Sequence, residues 1–246
     1  MRLLAAEALK LRTTWGFWVY LAMLLVLTAL VVVGTIGSGV GAFDDQSWRD
    51  LLQAPLIGFA FPLLVGSVVV TSEFRHGTIG QSLLVTPRRP VLLAAKLAAA
   101  GLVGLVFAVL SFALMLAIAL PWLGAKDVDV GLGDPVVRET ALVVTIAFVL
   151  LGMLGVGVGG ALRNQAGAAV GLLVWFLVAE FLVRALLGVV ELDGVARYLP
   201  LAAMEALIGS DDLEDVLSQA AGGLVLLGWV AVAAAAATGS LRRDVT

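Results

Sequence analysis

The feature that most constrains this chain is a series of six apolar runs, at about 16–36, 55–71, 91–120, 140–162, 167–189 and 220–240, each nearly free of charge. Runs of about 17 residues or more reach across the roughly 30 Å hydrocarbon core of a bilayer as helices. In lipid a helix satisfies every backbone N–H and C=O from within its own segment. The fold class that follows is all-α, a polytopic membrane protein with six transmembrane helices in a single domain over 1–246. Of the 246 residues 61% are hydrophobic and only 13% charged, where a soluble domain carries about 25%. With no cysteine and one histidine, disulfides, thiolate nucleophiles and Cys or His metal clusters are not expected.

Between the second and third runs lies the most basic interruption. It spans Ser72 to Lys96, reads SEFRHGTIGQSLLVTPRRPVLLAAK, and sets Arg75, His76, Arg88, Arg89 and Lys96 against one acid, Glu73. Gly77 allows a turn and Thr78 an N-cap, and the residues after them suffice for about two helical turns. Pro87 ends those turns, because the residue before a proline is pushed out of the helical region, and Pro90 suits the first turn of the next helix. The segment 73–90 thus reads as a short helix outside the membrane that offers Leu83 and Leu84 to a partner, with Arg88 and Arg89 at the headgroups.

The pattern E-x-x-x-G-T-x-x-x-x-L-L-x-T-P-R-R, with a lysine shortly after it, resembles the cytoplasmic loop between the second and third spans of export-type ABC permeases, the ABC type-2 membrane family. The resemblance implies a coupling helix that sits in a groove on a separate ATPase subunit. Glu73, Arg75, Gly77, Thr78, Leu83, Leu84, Thr86, Pro87 and Arg88 would be its coupling positions. It further implies an N-terminal interfacial helix and a second permease copy or related permease. ATP and magnesium would be held by the partner ATPase, with no cofactor in this chain. The implied location is a bacterial plasma membrane.

The remaining segments give their own expectations. Residues 1–14 read as an interfacial amphipathic helix, with Leu4, Ala8, Leu11 and Trp15 on one face and Glu7, Lys10 and Thr14 on the other, or as a basic flank of the first span. The first run exceeds a signal-peptide core, so a cleaved leader is not expected. Pro55 opens the second span and Pro62 invites a kink within it, while Pro121 follows the third. In the fourth span Gly155, Gly157 and Gly160 satisfy G-x-G-x-x-G, but no strand precedes them, so a dinucleotide site is rejected. Gly155 and Gly159 instead suit close helix packing. In the fifth span Glu180 and Arg184 stand four apart, as an intramembrane ion pair or as pathway residues. Between 190 and 219 an apolar middle, Tyr198 to Ile208, reads as an interfacial or re-entrant helix.

Basic residues collect in the N-terminus, the 73–90 loop, the turn at Arg163 and the C-terminal tail, whereas the other three loops are acidic. The positive-inside rule makes the basic side, with both termini, cytoplasmic. No G-x-x-x-x-G-K-[ST] loop is present, so the chain is not expected to be an enzyme and any ATPase belongs to another subunit. The expected function is the permease subunit of an ATP-driven exporter, with lipid and ATPase as partners and no nucleic acid. An ion-gradient-driven secondary transporter or channel is the alternative, and Glu180 is the residue it would need.

Overall fold

A computed structural model describes residues 6, 7, 9, 10, 14–37, 51–125, 133, 135–209 and 217–242. Among these, every regular element is helical: α1 (Trp15–Gly37), α2 (Ala60–Arg75), α3 (Ile79–Val85), α4 (Arg89–Gly124), α5 (Pro135–Leu162), α6 (Gln165–Val174), α7 (Glu180–Val189), α8 (Asp193–Ala196), α9 (Pro200–Ile208) and α10 (Gln219–Arg242). A 3-10 turn at Ala54–Gly58 precedes α2, and a π turn at Trp175–Ala179 joins α6 to α7. Six stretches are long and apolar enough to cross a membrane: Trp15–Gly37, Leu51–Arg75, Arg89–Gly124, Val137–Leu162, Gln165–Val189 and Gln219–Leu241. The chain is an all-α polytopic membrane protein with six candidate spans.

The prolines act differently from the expectation. Pro55 does not open the second span, which is helical from Leu51; it falls in the 3-10 turn. Pro62 is the third residue of α2 and therefore lies in the first turn after that break. Its missing N–H is one that has no intrahelical partner in any helix, and the break in the span falls just before it, at Gly58 and Phe59. Pro121 is inside α4, which continues to Gly124. At 36 residues α4 is about 54 Å long, well beyond a bilayer's hydrocarbon core. Of the two acidic connections expected near 37–54 and 126–139, residues 38–50, 126–132 and 134 lie outside the described residues.

α5 is the central helix and packs along α2, α4 and α10. Lipid tails are as apolar as leucine, so membrane helices gain from close approach of backbones rather than from hiding apolar surface. The glycines of α5 supply that approach on two faces. A Cβ on Gly155 would stand 2.0 Å from the Leu63 carbonyl oxygen of α2, and one on Gly159 would stand 2.8 Å from that of Ser67. On the other face Gly157 and Gly160 meet Ala233 and Ala237 of α10. The G-x-x-x-G pair thus faces a helix of its own chain. A second, smaller core forms where α1 ends, uniting Val32 and Ile36 with Leu51 and Leu52 and with Met115, Ala119 and Leu123 of α4.

Candidate coupling site

α2 ends in a hydrogen-bonded stop. Gly77 takes the left-handed conformation at φ 68°. The Thr78 N–H donates to the Glu73 carbonyl at 2.9 Å and the Gly77 N–H to that of Phe74 at 3.3 Å. These are the two bonds of a Schellman motif, in which glycine carries no steric cost. The chain then enters α3 directly. Thr78 holds the N-cap position, but its backbone is already helical and its side chain makes no capping bond, contrary to the expectation. Thr86, at φ −130° and ψ 85°, is the residue that Pro87 forces out of the helix, and Pro90 stands in the first turn of α4.

Nothing in α3 is buried. Leu84 is 84% exposed and Val85 81%, while Leu83 is half-buried. Pro87 and Arg88 are exposed beside them. Arg75 leaves this group and donates to Gln165 Oε1 at 3.3 Å, tying the end of α2 to the start of α6. The predicted residues therefore divide: Leu84, Pro87 and Arg88 form one exposed surface, joined by Val85, which was not predicted, and Glu73, Gly77 and Arg75 build its root.

The root is a charge cluster in which, among the described residues, Glu7, Glu73 and Lys96 are buried and Lys10 lies at its exposed edge. Lys96, on α4 and only 1% exposed, donates to Glu73 Oε1 at 2.7 Å and to Glu7 Oε2 at 3.1 Å. Lys10 donates to the same Glu73 oxygen at 2.9 Å and to Glu7 Oε1 at 3.2 Å. The Lys96 ammonium, bonded to both carboxylates, is what permits Glu7 and Glu73 to be buried beside it. Burial pulls the Lys10 ammonium down, but hydrogen bonding and attraction from Glu73, then from Glu7, carry it above the ordinary lysine value. Glu73 Oε2 is buried and makes no hydrogen bond among the described residues. A groove of about 570 Å³ runs from Glu7 and Lys10 past His76 to Ser82 and Val85 of α3.

Glu7 and the role of Lys96 were missed in the sequence. The amphipathic reading placed Glu7 and Lys10 on the face turned away from the apolar one, toward headgroups. Instead Glu7 turns into the protein at 2% exposed, while Lys10 and Thr14 of the same face stay exposed. Of residues 1–14 only five are described, so the length of the expected interfacial helix lies outside the described residues. A lysine one turn inside a membrane run was the available signal, because such a charge demands a partner.

At the other end of the bundle Glu180 and Arg184 meet at 3.0 Å, and Arg184 also donates to Glu205 Oε2 at 2.7 Å. Glu180 is fully buried and additionally accepts from Trp175 Nε1 and from the backbone N–H groups of Leu201 and Ala202. The stretch expected to be an interfacial or re-entrant helix holds α9, which is buried along nearly its whole length.

Comparison with known families places this geometry. No curated protein matches the chain. The family model described as ABC-2 family transporter protein matches residues 3–156, a stretch that holds the N-terminal charges, the root of α3, the protruding helix and nearly all of α5. The chain belongs to the ABC-2 family of transporter proteins and is a transporter membrane subunit of that family.

Proposed function

We propose that this chain is the permease of an ATP-driven exporter in a bacterial plasma membrane, with both termini cytoplasmic. Two permease copies, or two related permeases, join two ATPase subunits that bind ATP and magnesium. The observation that carries this reading is α3: a short helix with Leu84 and Val85 almost fully exposed, flanked by Arg88 and rooted in a buried charge cluster. Exposed apolar side chains on a helix too short to be stable alone need a partner groove, and the rigid root lets a displacement of α3 reach α2, α4 and the N-terminal segment together. A nucleotide shifts such an equilibrium only through a difference in contacts between two states, so α3 must be held differently by the ATPase before and after closure.

The gradient-driven alternative gains nothing from Glu180, whose two oxygens are engaged by the protein. The apolar spans suit an apolar or amphipathic cargo.

The test is co-purification from detergent-solubilised membranes. The tagged chain should bring a nucleotide-binding ATPase in roughly equimolar amount, and Leu84→Ser with Val85→Ser should lose it at unchanged chain abundance. Glu73→Ala or Arg88→Ala should insert normally but lower ATP-driven transport. A chain that purifies alone, without ATP hydrolysis, would contradict the proposal.

A further inference from the structure

The fifth span carries a buried stripe at Ala168, Leu172, Phe176 and Glu180, spaced by four throughout. In an α-helix a spacing of four drifts around the axis by about 40° per step. The π turn at Trp175–Ala179 takes up the excess, since its i→i+5 bonds widen the turn. Phe176 is thereby kept inward against Phe59, at 5.9 Å between ring centroids, and Glu180 one step later also faces inward.

There the carboxylate meets the N-terminus of α9. Leu199, at the N-cap position, has no side chain that can cap, and Pro200 opens the helix. Glu180 supplies the cap from another helix: Oε1 accepts the Leu201 N–H at 2.8 Å and the Ala202 N–H at 2.9 Å, and Oε2 accepts the Leu201 N–H at 3.0 Å. An anion at a helix N-terminus is favoured both by the free N–H groups and by the helix dipole. Arg184, bonded to Glu180 and to Glu205, joins α7 to the middle of α9 as well.

We propose that Glu180 is a positioning residue that makes the outer part of span five and α9 one moving body, so that α9 follows span five through the transport cycle. The proposal rests on the ATP-driven reading above. It assigns Glu180 to holding protein groups rather than cargo, and assigns the π turn to aiming it.

The experiment is residue-level amide exchange on the full chain with its ATPase in nanodiscs, without nucleotide and with ATP plus vanadate. In the natural chain the amides of Leu201 and Ala202 stay protected in both states, while residues 79–85 change protection on trapping. Glu180→Ala raises exchange at those two amides about tenfold, the size expected for orphaning a buried donor. Glu180→Gln, which keeps an acceptor oxygen, restores most of the protection, a rescue that shape alone would not predict for the alanine variant's loss. Loss of protection at Leu201 and Ala202 in the trapped natural complex would overturn the single moving body, and unchanged exchange in Glu180→Ala would overturn the cap. If residues 79–85 fail to respond to nucleotide, the ATP-driven reading fails instead, and the substitutions still decide whether Glu180 holds α9.

Discussion

At the root of α3, Glu73 takes two lysine bonds on one oxygen and leaves the other buried without a bond among the described residues. At the opposite end of the bundle Glu180 takes five bonds over both oxygens, three of them from backbone N–H groups. Backbone donors are fixed on their helix, whereas a lysine side chain can swing to another acceptor. The inner cluster is thus held by side chains and the outer one largely by backbone donors.

Breaking each cluster should expose the difference. The largest effect is expected from Lys96→Met, which leaves Glu7 and Glu73 buried with Lys10 alone, among the described residues, to face them. Removing one member of a buried pair costs about 3–5 kcal/mol, read as a lowered unfolding midpoint in detergent. Glu180→Ala comes next, at about 3 kcal/mol for the donors it orphans. Its effect should be confined to protection of α9, with the ATPase still bound. Gly77→Ala keeps every charge but strains the left-handed turn, costing about 1–2 kcal/mol. It should loosen the inner end alone, seen as faster exchange across 73–85.

The smallest change is expected from Lys10→Met, about 0.5 kcal/mol, because its side chain is 55% exposed and its ion pairs are solvent-screened. Its pH dependence has a definite sign. The folded pKa of Lys10 lies above the unfolded value of 10.5, so its contribution is complete below that pH and lost as pH rises through the folded value. A stability titration between about pH 6 and 9 should therefore not distinguish the natural chain from Lys10→Met in slope.

The spans were legible because hydropathy over about 20 residues is a strong signal in lipid. Local stops were legible too: Gly77, Pro87 and Pro90 act through their own backbones, and Glu180 with Arg184 through helical spacing. Contacts between distant segments were not. Nothing in the sequence joins Glu7 to Lys96, 89 residues apart, or tells Glu180 that its partners are the amides of Leu201 and Ala202. Periodicity gave the polar face of the N-terminal segment but not its direction, since a polar face can meet headgroups or a buried lysine equally well. Pro121 was read as following the third span, though α4 runs through it to Gly124.

The central proposal, that α3 is held differently by the ATPase before and after closure, is open to one direct measurement. The chain has no cysteine, so spin labels can be placed singly. Gly80→Cys lies on the exposed side of α3, where an added side chain meets nothing within 4 Å, and Leu162→Cys lies at the end of α5 and is 52% exposed. The distance between labels at these two positions, measured by pulsed electron spin resonance in the ATPase complex, should take different values without nucleotide and with ATP plus vanadate. An identical distribution in both states, with ATP hydrolysis intact, would contradict the account.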